Sequence, residues 1–179
     1  TIPELLIRIR DMARVWEGGL EGVFVVDGSP DGSAELLRAQ LPTCGFPSRL
    51  VLLSRNFGSF SAILAGLEAA EGPLFVTMSA DLQEPASLAL LSLRTLAAGD
   101  AAVVVGTRSS RQDPLFTRLF SACFWRMYRL LVQPEMPASG ADMFGCNRDF
   151  RDRLLQLREA NSTLLGLVYW MGFKRKEIP

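Results

Sequence analysis

Four short apolar runs, each followed by a polar turn, constrain this chain more than any other feature, and the first three turns lead on into helix-like stretches. Residues 22–26 (GVFVV) pass through DGSPDGS into ELLRAQL, and residues 49–54 (RLVLLS) pass through RNFGS into SAILAGLEAAEG. Residues 73–79 (PLFVTMS) meet SADLQEP and then ASLALLSLRTLAAG, and residues 100–108 (DAAVVVGTR) end in the polar loop SSRQDP. Strands that are apolar throughout, rather than at every second position, read as buried on both faces, the condition of a parallel sheet covered by helices. The pattern predicts an α/β domain with a mostly parallel central sheet, helices on both faces and right-handed crossovers. With 179 residues, 49% of them hydrophobic, the chain has the material for a single domain around one core.

Composition narrows function by what it lacks. There is no histidine, which removes a Ser-His-Asp triad, a His-paired cysteine and a His-ligated zinc. Catalysis must then rest on carboxylates, arginines or a metal held by oxygen. Nineteen basic residues balance nineteen acidic ones, so no nucleic-acid partner is expected and any basic site must be local. Cys44, Cys123 and Cys146 are scattered and form no CxxC, which fits a reducing, cytosolic compartment. No apolar run reaches the roughly eighteen uncharged residues of a spanning helix, and no signal peptide is visible, so the chain is expected to be soluble or to lie on a membrane surface.

In sheets of this kind ligands bind beyond the carboxyl ends of the strands, which locates the site before any motif is named. Asp27, Gly28, Ser29 and Asp31 fall there after the first run, Arg55 and Asn56 after the second, Ser79, Asp81 and Gln83 after the third, and Arg108 after the fourth. Each alone has an ordinary structural explanation: Asp31 and Ser33 suit a turn and a helix cap, Asn56-Phe57-Gly58 a tight turn, Glu84-Pro85 the opening of a helix, and Arg108 a solvated surface. Together on one rim they are less ordinary, because clustered acids repel unless a cation lies among them. Asp81 with the Gln83 amide is an oxygen-rich pair of the kind a hard divalent cation accepts.

Taken as a set, VVDGSPDGS, LSRNFGSFSAILAGLEAAEG, VTMSADLQEP and VVVGTR closely resemble the family 2 glycosyltransferases of GT-A fold, nearest the bacterial polyisoprenyl-phosphate sugar transferases and dolichol-phosphate mannose synthase. The resemblance runs from about residue 2 to the end. It implies a nucleotide-sugar donor bound by Asp27, Gly28, Ser29, Asp31, Ser79 and Arg108, and a divalent metal, Mg or Mn, bridging the donor's phosphates and held by Asp81 and Gln83. Asp81 then counts as catalytic as well as metal-binding.

Three departures stand out. Ser79 occupies a position where the family commonly has aspartate, so a Ser79→Asp substitution is expected to tighten metal binding. Val26-Asp27 replaces a pair of acids. The family's first strand, ending in a Pro-x-Tyr-Asn-Glu-like segment, has no counterpart ahead of TIPELLIRI, and with the family's usual C-terminal segments also missing, the 179 residues are expected to be one catalytic domain truncated at both ends.

The acceptor side lies further on. Residues 114–132 form an amphipathic pattern, with Phe116, Leu119, Phe120, Cys123, Met127 and Leu130 on one face and Arg118, Arg126 and Arg129 on the other, with Trp125 among them. This suits a membrane-surface helix as well as a core helix with a solvated basic face. A lipid-phosphate acceptor would need cations near the metal, and Arg111 and Arg118 are the candidates. ASGADMFGCNRDF, residues 138–150, resembles the family's acceptor-facing strand, with Asp142 matching its acid and an antiparallel strand expected over residues 143–147. Asp142 is catalytic if the acceptor is a hydroxyl, but an ionised lipid phosphate needs no base.

The leading expectation is an inverting, metal-dependent transfer of a hexose to a polyprenyl phosphate at the cytosolic face of the membrane. Transfer to a saccharide hydroxyl in polysaccharide assembly is a second reading. An inactive nucleotide-binding or scaffold domain is a third.

Overall fold

The computed structural model describes residues 1–107, 141–157 and 163–178, and of Ala141 and Asp142 the backbone alone. Helix α1 (Ile2–Val15) starts with Pro3 in its first turn, where a missing N–H costs no helical hydrogen bond. Strand β1 (Gly22–Asp27) follows, then α2 (Ser33–Gln40), β2 (Ser48–Leu53), α3 (Ser59–Ala69), β3 (Leu74–Val76), α4 (Ala86–Ala97) and β4 (Val103–Thr107). After the segment outside the described residues come β5 (Ala141–Asn147), α5 (Arg148–Gln156), α6 (Leu164–Trp170) and β6 (Arg175–Ile178). The apolar runs are the strands and the stretches between them the helices, as the pattern predicts.

The sheet is interrupted. β1 and β2 pair in parallel, Gly22 opposite Ser48 through Asp27 opposite Leu53. The other four strands form a separate sheet in the order β3-β5-β4-β6. β5 is antiparallel to both of its neighbours, and β4 and β6 are parallel. The antiparallel strand expected over residues 143–147 is therefore present, two residues longer at its start. Among the described residues, the edge of β1 away from β2 and the edge of β3 away from β5 carry no strand partner.

Two helices hold the sheets together from opposite faces. On one face α1 sends Leu5 and Leu6 onto Phe24 and Val26 of β1, and Met12 into the group formed by Ala89 and Met143 with Val76 packed against it. On the other, α3 lies close enough to β1 that a Cβ at Gly66 would come within 3.1 Å of Val25 Cγ2, while Leu67 buries itself with Phe75 of β3. The main core lies under the four-stranded sheet, where Val103, Val105, Phe144, Cys146, Phe150, Leu154 and Val168 are almost wholly buried. Phe150 meets Phe173 edge-on, ring centroids 5.2 Å apart. Each such side chain contributes about 1.5–3 kcal/mol by leaving water.

Three details differ from the sequence reading. Burial on both faces holds for β4 but not for β2, which is half exposed along its length. The third run ends as a ladder at Val76 rather than Ser79, because Thr77 turns its side chain onto the same partner as its backbone: its N–H and its hydroxyl both donate to the Phe144 carbonyl, at 2.8 and 3.0 Å. And β6, whose sequence RKEI carries no apolar pattern, is a strand, with only Ile178 deeply buried.

Candidate active site

A charge cluster fixes the direction of the strands. Arg49, near the start of β2, pairs at 2.5 Å with Glu21, just before β1, and at 2.5 Å with Glu71, just before β3. The Glu71 N–H also donates to Glu21. The Arg49 hydrogen bond holds the Glu71 carboxyl below its ordinary value, and Glu71 raises that of Arg49 in return. The starts of β1, β2 and β3 therefore share one edge, and their carboxyl ends share the other. That second edge receives Asp27, the loop after β2 and the loop after β3, as the sequence predicts.

Asp27 is fully engaged there. One carboxylate oxygen accepts from the Phe57 N–H at 2.7 Å and the other from the Gly58 N–H at 2.8 Å, so the end of β1 is latched to the turn that opens α3. The turn passes so close to Gly28 that a Cβ built there would lie 2.3 Å from the Arg55 carbonyl carbon, and Gly28 has φ +64°. Only glycine fits such a position. Asp31 accepts from the Ser33 N–H at 3.0 Å at the start of α2, and bonds from Ser33 and Ser29 lower its carboxyl's value. Asp31 thus closes the turn that leads into α2, while the N-cap itself is Gly32, without a side-chain cap. The sequence reading placed Arg55 on the rim but missed its stack: its guanidinium lies 4.1 Å from the Phe57 ring centre, and both residues are exposed.

The loop after β3 is a closed ring of six residues, Ser79 to Glu84. Glu84 folds back so that its two carboxylate oxygens accept from the Ser79 N–H and the Ser79 hydroxyl, each at 3.1 Å. Leu82 takes φ +67° at the tip, packs against the α1–β1 group and has its carbonyl 3.4 Å from an Arg8 nitrogen. This leaves Asp81 and Gln83 exposed, one Asp81 oxygen accepting from the Gln83 N–H at 3.1 Å. The donors on offer are a carboxylate, an amide and a hydroxyl, all oxygen, which suits Mg²⁺ or Mn²⁺. Among the described residues no three acidic, cysteine or histidine side chains gather as a metal cage, so such an ion would fit here only with oxygens brought by a ligand.

Asp142 stands at the same edge. Gly106 pairs with Met143 and Thr107 with Ala141, so Asp142 is the extra residue of a β-bulge opposite the end of β4. Arg108, Arg111, Arg118 and the amphipathic stretch 114–132 lie outside the described residues.

Residues 1–157 match the family described as Glycosyl transferase family 2. The chain belongs to that family. Similar proteins include the undecaprenyl-phosphate 4-deoxy-4-formamido-L-arabinose transferases of Sodalis glossinidius, 34% identical over all of this chain and 55% of the relative, and of Pseudomonas paraeruginosa, 36% identical over 98% of this chain and 51% of the relative. An uncharacterized glycosyltransferase of Bacillus subtilis, YkcC, is 30% identical over 99% of this chain and 54% of its own length. The family 2 domain thus spans about half the length of the curated relatives it matches. Among solved structures, the mannosyltransferase PcManGT of Pyrobaculum calidifontis, in complex with GDP-Man and Mn²⁺, superimposes with a TM-score of 0.63 at 18% identity, covering 98% of this chain and 51% of that one. The fold is the GT-A fold. No helix among the described residues is long and apolar enough to cross a membrane.

Proposed function

We propose that this family 2 domain catalyses the inverting, metal-dependent transfer of a hexose from a nucleotide sugar to a polyprenyl phosphate. One observation carries the reading: the Asp81–Gln83 loop, the Asp27 latch and the Asp142 bulge share the carboxyl edge of a chain that matches undecaprenyl-phosphate sugar transferases along nearly its whole length.

In this reading Asp81 and Gln83 hold a divalent cation, Mg or Mn, together with the donor's diphosphate. The ion would supply Lewis-acid stabilisation of the departing nucleoside diphosphate. Asp27, Gly28, Ser29, Asp31, Ser79 and Arg108 line the donor side. Asp27 acts there by fixing the Arg55–Phe57 turn, an exposed cation–aromatic surface on which a nucleobase can stack. Arg111 and Arg118 receive the acceptor phosphate, which attacks as an ionised oxygen, so Asp142 orients the acceptor and need not remove a proton. The reaction then lies at the inner face of the cell membrane, with the domain against its surface.

The test is product analysis with the protein carrying this domain, incubated with a panel of nucleotide sugars, Mn²⁺ and either undecaprenyl phosphate or a soluble saccharide. A lipid-linked sugar, lost on chelation, is the expected product. Transfer only to the saccharide would replace the acceptor, and hydrolysis or transfer undiminished by chelation would remove the metal.

A further inference from the structure

Glu84 is the one charged side chain among the buried described residues, 7% exposed. No ion pair with a described residue compensates it, and among the described residues its hydrogen-bond partner is Ser79: backbone N–H to one oxygen, hydroxyl to the other, each at 3.1 Å. A carboxylate taken out of water is costly unless hydrogen-bonded, so this pairing is a fixed part of the fold. Its effect falls on the serine. A serine hydroxyl has one proton and two acceptor lone pairs, and it rotates to suit its surroundings. Here the proton is committed inward to Glu84, while Ser79 itself is exposed. Anything approaching Ser79 from solvent therefore meets acceptor capacity and not a donor.

We propose that Glu84 is a positioning residue for this site, setting the Ser79 hydroxyl so that its oxygen serves as a third, neutral oxygen ligand in the loop that carries Asp81 and Gln83. The inference rests on the reading of that loop as the seat of a metal and a diphosphate. It assigns to Ser79, where the family commonly carries an acid, the same acceptor role in uncharged form. Glu84, behind the loop and with both oxygens occupied, does not ligate; it acts through Ser79. Glutamine at position 84 has a single acceptor oxygen and an amide that donates. The two Ser79 donors face different Glu84 oxygens, so with glutamine one of them meets an NH2 group instead of an acceptor, and the hydroxyl proton becomes free to turn outward.

The experiment is a manganese titration, read by the electron paramagnetic resonance of free Mn²⁺, on the protein carrying this domain with saturating GDP or UDP. Wild type, Glu84→Gln, Ser79→Ala, Ser79→Thr and the Glu84→Gln/Ser79→Ala double variant are compared, with melting temperature as the measure of folding. Partners behind a metal ligand typically set affinity by about 10–100-fold, and Glu84→Gln is expected near the lower end, about tenfold weaker. Ser79→Ala should lose a similar factor, Ser79→Thr should keep wild-type affinity, and the double variant should bind no worse than Ser79→Ala. Unchanged affinity in a folded Glu84→Gln, or effects of the two substitutions that simply add, would overturn the proposal. If Glu84→Gln does not fold, Ser79→Ala decides: wild-type affinity there also overturns it. Should wild type itself take up no Mn²⁺ with either nucleotide, the reading of the loop falls and this inference with it, whereas normal uptake with indifferent variants removes this inference alone.

Discussion

Gly28 shows how little freedom the site leaves to single residues. An alanine there would meet the Arg55 and Asn56 backbone at 2.3–2.5 Å in a φ region that side chains avoid. Gly28→Ala is expected to cost clearly more than about 1 kcal/mol and to weaken nucleoside-diphosphate binding, since relief must come from moving the turn that Asp27 holds. Thermal melts with and without the nucleotide separate the two effects. Asp81 is the opposite case, exposed and accepting from the Gln83 N–H two residues on. Asp81→Asn should leave stability within about 0.5 kcal/mol of wild type and abolish manganese-dependent nucleotide binding, as calorimetry would show. Equal manganese affinity in the two proteins would move the seat elsewhere. For Ser79→Asp the structure reverses the sequence expectation of tighter metal binding. The new carboxylate would replace a donor with an acceptor in front of Glu84, and two carboxylates so placed repel. A lowered melting temperature without gain in manganese affinity is the expected outcome.

Among the elements, the pairing of Arg49 with Glu21 and Glu71 ties three strand starts together, and its dependence on pH can be signed. Glu71 has its value lowered in the folded state, first by the Arg49 hydrogen bond. Its contribution is therefore present above the ordinary carboxylate range and is lost as pH falls through the lowered folded value. Exposure to solvent keeps it small. Melting temperature of wild type minus that of Arg49→Met should shrink towards zero below the ordinary carboxylate range. The elements themselves were legible where an apolar run marked them, as in β1, β2 and β4, although β2 is only half buried, and β5 was legible from its likeness to the family's acceptor-facing strand. β6 was not, because an edge strand pairing on one side needs few apolar positions, and Lys176 faces water there as edge strands often require. At the site, the rim positions of Asp27, Gly28 and Asp81 followed from strand ends alone. That Asp27 is a latch, and that Glu84 turns inward where Glu84-Pro85 reads as a plain helix start, depends on how a loop closes on itself, which residue types do not specify.

At the scale of the whole molecule, stability is unevenly placed. Val103, Val104 and Val105 are wholly buried in the middle of the four-stranded sheet, and Phe150 beneath them is as well. Phe150→Ala should cost about 3–5 kcal/mol in a denaturant titration, and amide exchange should be slowest in β4. β1 and β2 form a two-stranded pair joined to the rest through α1, α3 and the Arg49 cluster, and their amides should exchange faster. The interruption also has a consequence for anyone handling this stretch of chain by itself. Among the described residues no strand covers the outer edge of β1 or of β3, and such an edge is a row of backbone donors and acceptors able to template a strand, a neighbouring molecule's included. Solutions of residues 1–179 alone should therefore scatter light increasingly with concentration, and a short apolar peptide able to lie between the two edges should suppress that scattering.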